Sequence, residues 1–404
     1  MMNNDSTKSF DMAQKLFEDG EKHFQLRDYN SAIECYHEAA SKGHVFAKYM
    51  LGYTYLVYLS SSDKPDEWFK KFLADVLDNS YCPNSEEQYF VGVCYDNGYG
   101  VEENPEEAVK WFLKSAEGGY VSAQMDIGDC YFYGRGVEQN YEEAMKWFRI
   151  VAQQGYTGAQ CSIAYCYKQG YGVPQDYNEA IKWYRLAAEQ EDDWAEYSLG
   201  KCYSEGIGIE QNIAKALDWY GIAAELEHSE SIMYLQNLPK QAEDAKDQFA
   251  YGYCVLRGYV EDVNGFGSVY WLKKSAEQGF VEAQYMLGEC YYEGDGVAQN
   301  YAEALEWYFK AAERGYVEAQ YMVGYCYYHG DGVDVDYKEA AYWYQKAAEQ
   351  GYVEAQYLIG TCYHRGKGVE KDYEKAAYWY QKAADQGYVE AEDSLNELLN
   401  NVAK

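Results

Sequence analysis

Gly315–Gln350 reads GYVEAQYMVGYCYYHGDGVDVDYKEAAYWYQKAAEQ, and nearly the same text begins at Gly279 and again at Gly351. The starts lie 36 residues apart without drift. A tandem period of this size marks an array of supersecondary units, none of which can bury its apolar faces alone. Numbered from its glycine, the unit reads as two helices. Val317–His329 places Ala319, Val323 and Tyr327 at i, i+4 and i+8, one face of a first helix. Gly330-Asp331-Gly332-Val333 ends it, since glycine tolerates the left-handed backbone of a helix end and tight turn. Asp336 is the expected N-cap of a second helix, with Glu339 completing a capping box. That helix carries Ala340, Trp343, Tyr344, Ala347 and Ala348 on one side and stops at Gly351.

Four features recur with the period. They are the small residue early in the first helix (Ala283, Ala319, Ala355), the step Leu287-Gly288, Val323-Gly324 and Ile359-Gly360, the G-x-G-V loop, and the A-x-x-W-Y-x-x-A-A block. This pattern resembles the Sel1-like repeat, a relative of the tetratricopeptide repeat, over most of the chain. The resemblance implies an all-α fold: an α/α solenoid wound as a right-handed superhelix, with about ten helix-turn-helix repeats and a cap at each end.

Taken in order, residues 1–10 are polar and expected to be a disordered tail. Residues 11–82 hold divergent repeats, with Cys35 where tryptophan is usual and a loss of pattern around Leu56–Pro65. Four repeats occupy 83–226, with Trp111, Trp147, Trp183 and Trp219 in register and Asn104, Asn140, Asp176 and Asn212 as N-caps. In 227–278 the register slips by 16 residues, as the spacing of Cys202 and Cys254 shows. An insertion near Met233–Gln248, with an extra helical turn or protruding loop and a change of superhelix direction, is the expectation. Three repeats fill 279–386, and 387–404 reads as a capping helix with Ala391, Leu395 and Leu398 inward.

The 404 residues carry a formal charge of −33 and 48 tyrosines. Such acidity keeps a long solenoid soluble and disfavours nucleic acid, whose phosphates need clustered Lys and Arg. No stretch approaches the ~18 apolar residues of a membrane span, and MMNNDSTKSF lacks the apolar core of a signal peptide. Eight cysteines (Cys94, Cys130, Cys166, Cys202, Cys254, Cys290, Cys326, Cys362) share position twelve. One per repeat offers no pairing partner within the unit, so they read as core residues of a protein in a reducing compartment, the cytoplasm. Delivery as a secreted effector without a signal peptide stays open. Some secreted Sel1-like proteins have two bridged cysteines per repeat and are linked to β-lactam binding; the second cysteine is missing here.

The G-x-G loops follow helices and recur, unlike a phosphate cradle, which follows a strand and opens a helix. His329 and His364 lack companion ligands at metal spacing. No nucleophile with a base appears, so no catalytic residue, metal or cofactor is expected. Position ten, glycine in eight of the nine units from Gly43 to Gly351, and position twenty-nine, nearly always tryptophan, read as packing constraints. Positions four, seven, eleven, fourteen and fifteen vary. By resemblance to tetratricopeptide arrays these line a concave groove. In the last three repeats they supply Glu282, Tyr285, Glu289 and Tyr292, then Glu318, Tyr321, Tyr325 and Tyr328, then Glu354, Tyr357 and His364. Tyrosine gives rigid contact area and glutamate selects charge, which suits a peptide or protein segment, basic or amphipathic. The reading is a non-catalytic interaction scaffold. Tyr321 is expected to matter for binding and little for stability, and Trp307 the reverse. Two alternatives are a hydrolase of β-lactams or cell-wall material, implied only by distant relatives, and a regulatory subunit or hub using the outer face or the 231–248 insertion. Oligomeric state is not legible.

Overall fold

The repeat rests on one contact: a ring from the second helix lies flat against a glycine in the first. In the computed structural model, a Cβ added to Gly324 would sit 2.7 Å from Tyr344 Cδ1. The same approach joins Gly288 to Tyr308 (2.6 Å) and Gly360 to Tyr380 (2.8 Å). It also joins Gly200 to Tyr220, Gly128 to Phe148 and Gly92 to Phe112, each at 2.6 Å. Real Cβ atoms do not come this close, so position ten is glycine because position thirty is a ring. The rings are the best-buried large side chains: Tyr308 and Tyr344 are 0% exposed. Among the nine repeats from Gly43 to Gly351, one has alanine at this position, Ala164, and its position-thirty ring, Tyr184, is buried as well.

The described residues are 3–58, 64–78, 81–238, 244–262 and 265–402. Among them there are twenty-two helices and no strand, an all-α, solenoid-like succession of helix-turn-helix repeats. No helix among them is long and apolar enough to cross a membrane. The chain divides into two compact units, Met1–Ala195 and Glu196–Lys404.

The first unit holds α1 (Asn3–Gln25) through α10 (Tyr177–Ala188). Helix α1 begins at Asn3. The lock extends into the divergent region, where Gly20 meets Tyr36 (2.6 Å) and Gly52 meets Phe69 (2.8 Å). Asn104 and Asn140 cap α6 (Pro105–Glu117) and α8 (Tyr141–Ala152) by accepting from backbone N–H groups of the first turn. Pro105 occupies the first helical position, where its missing N–H costs nothing.

In the second unit, α18 spans Val317–His329 and α19 spans Tyr337–Glu349, as the sequence indicates. Gly330 closes α18 in the left-handed region, its N–H bonded to Cys326 O (2.8 Å). Gly332, at φ 72°, sits where a Cβ would fall 2.4 Å from the backbone of Tyr301. The second loop glycine thus allows one repeat's loop to lie against the previous repeat's second helix. Asp336 accepts from Lys338 N and Glu339 N (2.9 and 3.2 Å). The reciprocal bond of a full capping box forms at Asn84/Glu87 and not at Asp336/Glu339.

A short extra helix occupies the register slip. After α12 (Ile213–Glu225), His228 caps a short helix α13 (Ser229–Gln236), and Asp244 opens α14 (Ala245–Arg257). Leu235 (4% exposed) and Leu238 (7%) join Leu217, Tyr220, Phe249 and Leu272 in one core. The added segment is therefore an extra helical turn that is packed inward. Part of the expected insertion, 239–243, lies outside the described residues.

The position-twelve cysteines from Cys94 to Cys362 are all buried and free. Burial pushes their thiols up, to about 12 for Cys290 and Cys326 and about 11 for Cys362. They remain protonated core residues, poor nucleophiles and poor metal ligands.

Candidate partner-binding site

Helices α16 (Val281–Glu293), α18 and α20 (Val353–Arg365) carry the tyrosines and glutamates singled out by the sequence. Position seven builds a ladder of rings. Tyr285 lies 5.8 Å from Tyr308 of its own repeat and 5.1 Å from Tyr316 of the next. Tyr321 repeats this with Tyr344 (6.0 Å) and Tyr352 (5.1 Å), and Tyr357 with Tyr380 (5.8 Å) and Tyr388 (5.3 Å). These rings are half-buried, more than ordinary surface positions. Burial, foremost, raises the phenol pKa of Tyr285 and Tyr321, with neighbouring carboxylates adding to it.

Position eleven differs from repeat to repeat. Glu289 Oε1 accepts from Tyr308 Oη at 2.5 Å, and burial lifts its carboxyl above the usual range while that bond opposes the shift. Tyr325 stands there next, its ring 4.2 Å from His329. Thr361 follows, sharing Tyr380 Oη (3.2 Å) with His364 Nδ1 (3.3 Å). Position fourteen reaches the following loop: Tyr292 Oη donates to Asp331 (2.9 Å), and Lys367 Nζ donates to Tyr328 Oη (3.1 Å).

At position four, Glu282, Glu318 and Glu354 are half-buried beside the ladder. Burial raises the Glu282 carboxyl. None of the three closes an ion pair among the described residues. The structure thus brings the ring residues together and leaves the glutamates without a salt bridge among the described residues, though Lys246 offsets part of the rise at Glu282. Among the described residues no group of three or more His, Cys, Asp or Glu is arranged around a possible metal ion.

Two roles are not readable from the sequence. One belongs to position thirty: Tyr344 reads as part of the packed side with Trp343, but not as the ring that lies on Gly324. Trp307 (8% exposed) and Trp343 (3%) are buried, but Trp111, Trp147, Trp183 and Trp379 are only half-buried. The other belongs to a glutamine pair. Gln350 Nε2 donates to Gln320 Oε1, and Gln386 Nε2 to Gln356 Oε1, both at 2.8 Å. The inner glutamines pass the bond on to Ala312 O and Ala348 O (3.2 Å each). These bonds tie each first-helix start to the ends of the second helices on either side of it.

Nine segments match the Sel1 repeat: 10–44, 88–120, 121–156, 157–192, 195–228, 245–280, 281–316, 317–352 and 353–388. The chain belongs to the Sel1 repeat family. Sel1 repeats generally mediate protein–protein interaction, and proteins built of them are typically non-enzymatic scaffolds. The matches stop at 228 and resume at 245, on either side of the segment containing α13. The fold is similar to that of a protective antigen of uropathogenic Escherichia coli displaying an SLR fold, with 29% identity, 96% of this chain and 88% of that one covered, and a TM-score of 0.45. A Sel1 repeat protein from Oxalobacter formigenes shows 28% identity over 70% of this chain and 94% of that one, TM-score 0.36. An immunity protein from Pseudomonas aeruginosa shows 22% identity over 54% and 82%, TM-score 0.38. No curated protein matches the chain.

Proposed function

We propose that this Sel1 array is a non-catalytic scaffold that holds a protein partner along the tyrosine and glutamate face of α16, α18 and α20. The bound element is a basic or amphipathic segment lying across successive repeats. The observation that carries this is the row Glu282, Glu318 and Glu354, one per repeat, each beside a packed ring and each without an ion pair among the described residues. A half-buried carboxylate without a cation gains from an arriving Lys or Arg, and the pre-packed rings lose little entropy when covered. Concentrated acidity also speeds encounter with a basic partner.

The test is site-specific photocrosslinking in cells. A photoreactive phenylalanine at Tyr321 or Tyr357 should trap the same discrete partner. The same group at Tyr342, which is 52% exposed on α19, should not. Trapping only from Tyr342 would move the binding surface to the outer face.

A further inference from the structure

The first unit contains a cavity of about 490 Å³ bordered by Asp129 on α7 (Val121–Tyr133), Cys161 and Tyr165 on α9 (Thr157–Gln169), and Asp192 and Trp194. Asp129 occupies position eleven, the place of Glu289 in the later repeat. There Tyr308 supplies a hydroxyl donor; here the ring at position thirty is Phe148, which has none. The half-buried Asp129 carboxylate has no hydrogen-bond donor among the described residues. Burial, with Asp126 adding to it and Arg135 opposing, lifts its pKa to about 6, so it is still an anion at neutral pH. Asp192 uses Oδ1 for Ala195 N (2.9 Å) and the Cys161 thiol (3.3 Å), leaving its other oxygen without a partner among the described residues. Burial and Asp192 both raise the Cys161 thiol, so it is a donor and not a nucleophile.

Aromatic surface flanks these acids. Trp194 is 44% exposed and Tyr165 37%. Rings beside unmatched carboxylates favour a flat cation, held over a π-face and hydrogen-bonded at its edge. A quaternary ammonium would satisfy the rings and leave both carboxylates without donors; a guanidinium brings five donors on a planar fork. We propose that this cavity receives an arginine side chain presented by a peptide or protein partner. The site rests on none of the residues of the 281–365 face.

Titration calorimetry at about 50 mM salt, where charge pairing is weakly screened, tests it with the full chain. The probes are a capped Gly-Arg-Gly peptide and its citrulline counterpart, a neutral near-isostere. The arginine peptide should bind, and the citrulline peptide should bind at least about tenfold more weakly, the loss expected for a charge-assisted bond. Asp129→Asn should cause a similar loss, Trp194→Ala about a fivefold loss, and Glu318→Gln none. Should Asp129→Asn fail to fold by circular dichroism, the exposed Trp194→Ala variant decides. Four results would each overturn the assignment: no binding of the arginine peptide, equal affinity for citrulline, full affinity in a folded Asp129→Asn, or loss confined to Glu318→Gln. Tetramethylammonium displacing the peptide at equal concentration would overturn it as well, since that cation cannot serve the carboxylates.

Discussion

The adjacent repeats Gly279–Arg314 and Gly315–Gln350 share nearly all their apolar residues and differ in how they satisfy buried polar atoms. In the first, Tyr308 donates to Glu289, but Arg314 replaces the usual terminal glutamine and bonds Gly279 O instead. Gln284 Oε1 is consequently buried without a partner. In the second, Gln350 completes the glutamine pair, but Tyr325 replaces the glutamate and the Tyr344 hydroxyl is buried without a partner. Each repeat thus lacks the bond the other has. The ring-on-glycine contact persists in both, so packing defines the repeat and hydrogen bonding is adjusted locally. Position eleven, which sets the polar closure, also faces the proposed partner surface. Variation there is tolerated by the fold and available to binding.

The largest expected effect comes from removing the shared element. Tyr308→Ala should cost about 3–5 kcal/mol through the cavity it leaves, read by urea denaturation. A cost under about 1 kcal/mol would show that the ring is dispensable. Gly324→Ala is next. Its methyl would meet Tyr344, so overpacking should cost about 1–3 kcal/mol despite alanine's better helix propensity. Alanine already stands at this position in the repeat of Ala164, whose Tyr184 stays buried, so the cost should fall below that of ring removal. Two conservative changes then separate the repeats. Tyr308→Phe removes the donor to a buried carboxylate and should cost about 1–3 kcal/mol. Tyr344→Phe removes a hydroxyl that has no partner and should be neutral or slightly stabilising. Equal costs would dissolve the comparison. The smallest effect is a gain: Arg314→Gln should restore the bond to Gln284 and add about 0.5–1.5 kcal/mol, seen as a raised Tm.

Much of the fold is legible because its signals are local. A left-handed glycine ends α18, a side-chain oxygen at Asp336 starts α19, and both can be read without neighbours. The position-thirty ring was not legible, since Trp343 and Tyr344 are adjacent aromatics and only tertiary packing decides which one lies on Gly324. In the slipped repeat α13 imitates a first helix, with Leu235 buried where Val323 lies in a regular repeat, so the sequence shows the 16-residue slip but not that its added turn packs inward. The Tyr321 row was legible as a face but not as a ladder: half-burial comes from rings in the same and the next repeat. Its mutation to alanine therefore touches packing as well as any partner, and the position-four glutamates probe binding more cleanly.

The most direct test measures melting and partner association on one variant carrying Glu282→Gln, Glu318→Gln and Glu354→Gln, using the partner trapped from Tyr321. These side chains close no ion pair among the described residues, so Tm should stay within a few degrees of the parent. Association should slow several-fold at low salt, and the difference should shrink as ionic strength rises to about 150 mM. Unchanged association at every salt concentration, with the fold intact, would contradict the account.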